Sequence, residues 1–370
     1  MSIPPPPLPA LRHMLNHFRL QARPLRFLTF LVVVALSSPC RAHETSGQKG
    51  VLHFHAKGES KGQIVLVSGD EEYRSEESMP MLAKILSVHH GFDCTVLFSM
   101  SKDGEYIDPN HSEGVVGWEH LKDADLMIIA TRFRKPSPRD GQYISDFLDA
   151  GKPIIGLRTA THAFAGDGFF GNSIPFAKFG RMILGEEWVS HHGRHKQQGA
   201  RGVIEAEYTD HPILKSVGDV FCPSDVYGVT HLTGDDKILM RGAVTESLDP
   251  ASKIIEGDIN EPMQPFAWLH PYDSPKGTTG LSFCTTSGAS VDLLNEGLRR
   301  MVVNAVFFLL EQPVPEEADV SFVDDYKPSF YGFIREKGYF KELNLQPSEY
   351  SLGRFRQVED PKGTPEWKFP

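Results

Sequence analysis

Three short, wholly apolar runs constrain the fold of this chain more than any other feature: Ile64–Val67 (IVLV), Leu126–Ala130 (LMIIA) and Pro153–Leu157 (PIIGL). A run of four or five residues without a polar member suits a strand buried on both faces, and such strands belong to parallel sheets covered by helices above and below. Helical spacing fills the gaps between them. Leu82, Ile85, Leu86 and His89 recur at a helix period that stops at Gly91, and Tyr143, Ile144, Phe147 and Leu148 form a second apolar stripe closed by Gly151. Cys94–Phe98 adds another strand between the first helix and the second run. The alternation of strand and helix predicts an α/β layered fold with a parallel sheet.

The second half is less regular. Val203–Ala206, Ile238–Leu239, Phe266–Leu269 and Leu281–Thr285 read as strands separated by turns rich in Gly, Pro and Asp. A long helix is expected over Val291–Leu310, with Ser290 and Asp292 as caps. Arg299, Arg300 and Asn304 interrupt its apolar surface, so it reads as a buried helix rather than a membrane span. Residues 43–61 are polar and read as a linker. Residues 313–370 form a Pro-rich extension whose aromatics (Phe322, Tyr326, Phe330, Tyr331, Phe333) suit packing onto the core, with stacking on sugar rings as the alternative.

Residues 1–42 read as a secretory signal peptide. Arg19, Arg23 and Arg26 precede an apolar stretch, Phe27–Leu36, that is too short to span a bilayer, and small residues follow with a cleavage point after Ala42. Cys40 admits a lipoprotein reading, which Pro39 disfavours, and a retained anchor is the third option. The expectation is an exported protein, periplasmic or extracellular, without a membrane span once the leader is removed. Five of the 38 basic residues and none of the 48 acidic ones lie in this leader, so the remainder has 33 basic against 48 acidic residues, a net charge of −15. A body this acidic excludes general nucleic-acid binding, which depends on clustered Lys and Arg. Cys94, Cys222 and Cys284 remain after cleavage, all in strand-like sequence and none in a CxxC pair, so they read as buried thiols.

Ligands of open parallel sheets collect beyond the carboxyl ends of the strands. By that rule the chemistry-bearing residues are Asp70, Glu71, Glu72 and Tyr73 after the first run, Arg132 and Arg134 after the second, and Arg158, Thr159, Thr161 and His162 after the third. The segment SHHGRHK (residues 190–196) adds His191, His192 and His195, and Asp225 and Tyr227 follow. The turn at Gly156–His162 is placed where an elbow nucleophile would sit, but the position is held by Arg158, which serves better as a fixed cation for oxygen atoms. His191 and His195 share a face whether the segment is helical or extended, leaving His192 aimed differently. The pair suits a divalent metal or acid–base work, with a carboxylate from Asp225, Glu186 or Asp70. Substrate hydrogen bonding and plain solvation are the competing readings. The acidic triplet Asp70–Glu72 reads either as a cap on the next helix or as a source of a carboxylate base.

Taken together, IVLVSGDEEY, LMIIATRF, PIIGLRTATHAF, VSHHGRHK, DHPIL, PSDVYGV, PFAWLHPY and LSFCTTSGASVDLLNEGLRRMVVNAVFFLL resemble the trehalose-utilisation (ThuA-like) family of the class I glutamine amidotransferase-like superfamily, over roughly residues 62–312. The HHG-x-H run and the NEGLRR helix resemble most the exported members common in planctomycete-type bacteria. The resemblance implies a flavodoxin-like three-layer sandwich with a mostly parallel central sheet. It also implies carbohydrate metabolism of the trehalose or keto-sugar type, a small-molecule sugar as partner, and compatibility with a homo-oligomer. Arg158 replaces the amidotransferase cysteine, so glutamine hydrolysis is not implied. The expected acid–base groups are His191, His195, Asp225 and Glu72, with His191 and His195 as ligands if a divalent metal takes part. Asp70, Arg132, Arg158, Thr159, His162, His192 and Tyr227 are expected to bind substrate. The competing reading is a non-catalytic carbohydrate-binding or interaction module on the same fold.

Overall fold

The apolar runs lie side by side in the computed structural model, which describes residues 48–367 together with Met1. The leader therefore falls outside the described residues. In chain order the strands are β1 (Val51–Phe54), β2 (Gln63–Gly69), β3 (Asp93–Leu97), β4 (Leu126–Thr131), β5 (Ile154–Leu157), β6 (Phe169–Phe170), β7 (Ile174–Pro175), β8 (His191–His192), β9 (Ala200–Ile204), β10 (Phe221–Cys222), β11 (Val226–Tyr227), β12 (Lys237–Val244), β13 (Gln264–Asp273) and β14 (Thr279–Thr285). Ten of them form one sheet in the order β1-β3-β2-β4-β5-β14-β13-β12-β9-β10. Its centre, β3-β2-β4-β5-β14, is parallel. Numbered along the chain, those five strands run 2-1-3-4-5, the flavodoxin-like order, with its switch point between β2 and β4. An antiparallel wing extends from β14, and β1 closes the opposite edge.

Helices cover both faces. On one side, α1 (Ser75–Val88) and α4 (Glu296–Leu309) bury Leu82, Ile85, Leu86, Leu298, Val302 and Ala305 in a cluster with Leu66, Ile128 and Phe283. On the other, α2 (Pro138–Asp149) and α3 (Phe179–Ile183) bury Ile144, Phe147, Leu148 and Ile183 against Val67, Met127, Ile129 and Ile154. Successive residues of one strand point to opposite faces, so Leu66 and Val67 feed different clusters. The result is an α/β sandwich of three layers, as the apolar runs predict.

Three sequence expectations need correction. The polar stretch 43–61 is not all linker: Val51–Phe54 is β1, which pairs antiparallel with β3 and buries Val51, Leu52 and Phe54. Four residues inside a polar window are too few to stand out by composition. The long helix starts later than expected, at Glu296, where the Asn295 side chain accepts from the Leu298 N–H at 2.9 Å. Asp292, expected as a cap, instead accepts from the N–H groups of Ser224, Gly288 and Ala289 and from the Ser224 hydroxyl, tying the turn after β14 to the one after β10. The third correction concerns the histidine segment and follows with the site.

The C-terminal extension returns across α1. Glu77 accepts from the backbone N–H and hydroxyl of Ser329, Lys84 donates to the Arg354 carbonyl, and Phe330 and Tyr331 are fully buried. A short helix, α5 (Tyr339–Leu343), follows. Cys94, Cys222 and Cys284 are free, buried thiols whose pKa values burial pushes up. No helix among the described residues is long and apolar enough to cross a membrane.

Candidate functional site

Arg158 is the residue on which the site is built. It follows directly on β5 and takes a left-handed backbone conformation, φ 47°, at the place where an elbow turn would present a nucleophile. This conformation costs a non-glycine residue about 1–2 kcal/mol, which the surrounding contacts must offset. Its guanidinium is 1% exposed and lies between two rings, 4.0 Å from the Tyr227 centroid and 4.6 Å from that of Tyr73. It donates to Asp225 Oδ1 at 2.6 Å, to the Thr286 carbonyl at 2.7 Å, to the Tyr73 hydroxyl at 3.1 Å and to the Asp225 carbonyl. Burial works against its charge, but the facing tyrosines and Asp225 outweigh that and hold its pKa up.

Asp225 is equally buried. Burial alone would push its carboxyl up; the Arg158 guanidinium, His191 and His195 overturn that and hold it well below the usual carboxylate range. It stands at the start of β11, whose two residues pair antiparallel with β8, Tyr227 opposite His191 and Val226 opposite His192. That ribbon brings SHHGRHK to the carboxylate. The segment is neither a helix nor a continuous strand. It is extended at His191–His192, turns at Gly193 (φ 94°), and closes with the N–H groups of Gln197 and Gln198 donating to the Arg194 carbonyl. The left-handed glycine folds His195 back over His191, with ring centroids 4.1 Å apart. The sequence-level pairing of these two histidines survives with a different backbone cause.

His195 lies between two carboxylates. Its Nδ1 is 3.1 Å from Asp225 Oδ1 and its Nε2 is 3.4 Å from Glu72 Oε1. Burial pulls its pKa down, but hydrogen bonds to Asp225 and Glu72 outweigh burial and the net direction is up. His191 Nδ1 is 2.7 Å from Asp225 Oδ2, yet the two atoms are not aligned as a hydrogen bond, and both are buried without another partner. His162 is on the other flank. Its ring is buried and its pKa is driven well down, first by burial and then by the charges of Arg132 and Arg158, so it is a neutral imidazole. Two exposed aromatics pack on it, Phe133 at 5.0 Å and Trp188 at 5.6 Å between centroids, each more than a third exposed.

The structure thus brings His191, His195, Asp225, Glu72, Arg158, Tyr227 and His162 together. The other expected residues are placed elsewhere. Asp70 and Thr159 bond to each other, and Asp70 also accepts from the N–H groups of Glu72 and Tyr73, so both stand behind the cluster shaping the turn after β2. Burial, and then the charge of Glu71, raise the Asp70 pKa to about 6. His192 points away and donates to the Ile259 carbonyl at 2.6 Å, because it is the alternate residue of a two-residue strand. Arg132 pairs with Glu71 and stacks between Phe133 and Phe333 at the rim. Glu186, a candidate carboxylate partner, instead holds the 230s loop through the N–H groups of Thr230 and His231.

The sequence offers Tyr73 only as one of four residues after the first run and Tyr331 only as one of five aromatics in the extension, and it gives no signal for Trp188. Tyr331 reaches the cluster from the C-terminal extension, stacking 5.1 Å from Tyr73 and 5.5 Å from His195 while its hydroxyl donates to the Pro223 carbonyl. Trp188, three residues before His191, had only its exposure to announce it, and exposure is not visible in a sequence.

No protein-family model and no curated protein matches the sequence. Among solved structures, a protein described as thua-like from Parabacteroides merdae ATCC 43184 is similar with a TM-score of 0.42 and 10% identity, over 69% of this chain and 92% of that one. The N-terminal domain of mmIFT52 is similar with a TM-score of 0.35 and 14% identity, over 67% and 97%. An exo-beta-1,4-mannosidase, Op5Man5 from Opitutaceae bacterium strain TAV5, gives 0.28 and 10%, over 68% of this chain and 36% of that one.

Proposed function

We propose that this cluster is an acid–base active site acting on a small carbohydrate, in a protein exported from the cell that made it. The observation that carries the acid–base half is His195, a half-buried imidazole with a carboxylate facing each ring nitrogen and a raised pKa. General acid–base catalysis asks for a group that exchanges protons near neutral pH within reach of a second one. His195 as proton donor and Glu72 or His191 as acceptor meet that need. Arg158 keeps Asp225 ionised, and the ionised Asp225 orients both histidines. An anionic or carbonyl oxygen entering beside His162 would meet a neutral imidazole.

The carbohydrate half draws on two further features. Trp188 and Phe133, each more than a third exposed, flank a polar, charged site, the combination that stacks on the C–H face of a sugar while side chains bind its hydroxyls. The sequence resemblance to the trehalose-utilisation family points the same way. The site lacks a nucleophile at the elbow, so the chemistry it supports is proton transfer at a glycosidic or keto-bearing carbon rather than covalent acyl transfer.

The test is turnover of trehalose, sucrose and their 3-keto derivatives, followed by NMR of the products, with His195→Asn and Glu72→Gln alongside wild type. Product formed by wild type and reduced at least 100-fold in His195→Asn, with unchanged circular dichroism, supports the proposal. Saturable sugar binding without product with any of these sugars would replace the enzyme reading by the binding-module reading. Absence of both binding and turnover would overturn the carbohydrate assignment.

A further inference from the structure

We propose that His191, His195 and Asp225 form a binding site for one divalent first-row transition ion, a proposal that rests on the reading of this cluster as the functional centre. One ligand atom from each residue lies within 4.8 Å of the other two. Ligands on one zinc-like ion at bonds of ~2.05 Å stand about 3.3 Å apart, so a small turn of side chains on the half-buried His191–His195 hairpin brings the wider-set atoms in. His191 Nδ1 and Asp225 Oδ2, 2.7 Å apart, must instead open by about 0.6 Å to share an ion.

Those two atoms are the independent sign of a third partner. Each is buried and lacks a hydrogen bond, although they are close enough for one. Buried polar atoms in native proteins are nearly always satisfied, and an ion set between these two would satisfy both where their own close contact misses hydrogen-bond geometry. The donor set selects the class of ion. Two imidazoles with one carboxylate suit zinc, iron(II), cobalt or manganese and do not suit calcium or magnesium, which take oxygen ligands.

The groups behind the ligands also fit. A metal-bound histidine normally donates its far N–H to a carboxylate or carbonyl, which fixes the ring. Glu72 Oε1 stands 3.4 Å from His195 Nε2 in that place, leaving His195 Nδ1 on the Asp225 side. Asp225 has its other oxygen held by Arg158 at 2.6 Å, so its free oxygen has one direction. The charge balance is tolerable. Arg158 offsets one of the carboxylates Asp225 and Glu72, and the other faces the ion together with two neutral imidazoles. The neighbouring guanidinium lowers affinity, so the site should exchange its ion rather than hold it as a structural zinc does. About a quarter to a third of each histidine side chain is exposed, 30% for His191 and 27% for His195, which leaves open coordination positions.

The experiment uses the full chain purified without a polyhistidine tag, loaded with zinc, iron(II), manganese or cobalt and desalted. Metal content is measured by elemental analysis, and the cobalt form by its visible d–d absorption. The proposal expects close to one equivalent in wild type, a loss of at least 10-fold in affinity in His191→Ala and in His195→Ala, and retention in His192→Ala, whose ring is anchored outside the cluster. Folding of each variant is checked by circular dichroism. A wild type that binds none of the four ions, or one that binds them no better than the His191→Ala and His195→Ala variants, overturns the site. The two proposals fail separately: sugar turnover by a wild type that binds none of the four ions ends this one and leaves the other standing, while stoichiometric metal without sugar binding does the reverse.

Discussion

Removing the charge of Asp225 should be among the most destabilising single changes in the site, and the reason can be tested rather than assumed. Asp225 and Arg158 are each 1% exposed and paired at 2.6 Å. Breaking a buried pair from one side leaves an uncompensated charge and costs ~3–5 kcal/mol, more than the pair itself contributes against a neutral replacement. Asp225→Ala strands the Arg158 guanidinium with only carbonyls, the Tyr73 hydroxyl and two rings. Arg158→Met strands the Asp225 carboxylate, which keeps its two histidines, and also removes the donor that satisfies the Thr286 carbonyl. Each single variant should therefore lose ~3–5 kcal/mol. The double variant leaves no buried charge from the pair and should lose no more than either single variant, short of the sum by about 3 kcal/mol or more. Urea unfolding of the four proteins in chelator, followed through the buried Trp118 and Trp268, gives the cycle. Additivity within ~0.5 kcal/mol would refute the claim that these two residues form one desolvated electrostatic unit.

Three further outcomes are expected. Burial above all raises the carboxyl pKa of Glu76 to about 7 and that of Glu77 to about 8, so the folded state holds protons that the unfolded state has released; their stabilising contribution is complete below about pH 4.5 and fades as pH climbs through 7 to 8, so the urea midpoint should fall more steeply from pH 5 to 9 in wild type than in Glu77→Gln, and equal slopes would contradict it. Tyr331→Ala should cost about 3–5 kcal/mol in a denaturant titration because the ring is stacked on Phe330 and Tyr73, whereas Tyr331→Phe, which loses only the bond to Pro223, should cost about 1 kcal/mol; similar losses would remove the stacking argument. Cys94, Cys222 and Cys284 should resist a thiol-specific disulfide reagent in the native protein and all react in denaturant, and rapid native labelling would show that one of them is accessible.

Much of the fold was legible because it rests on local pattern. IVLV, LMIIA and PIIGL had to be strands buried on both faces, and they occupy β2, β4 and β5. The helix stripes that end at Gly91 and Gly151 appear as α1 and α2. β1 and the start of α4 were not legible. The four-residue strand exists because β3 offers it a partner, and the helix begins at Glu296, capped by Asn295, because Asp292 is engaged with Ser224 from a distant turn.

The site divides along the same line. The sequence by itself determined the inventory: which acids, histidines and arginines follow the strands. That His195 joins His191 was decided by the left-handed turn at Gly193. Only the tertiary structure decided the partners. Asp225, rather than Glu186 or Asp70, meets the histidines because β11 pairs with β8 in one register. Arg158 faces it from 67 positions away because β14 adjoins β5 and Asp292, just after β14, holds Ser224, and Tyr331 completes the wall because the extension is fixed to α1 through Glu77. Strand formation depends on a few neighbouring residues, which a sequence displays. Contact between distant segments depends on strand order, register and the path of the chain, each set by the packing of the whole sheet.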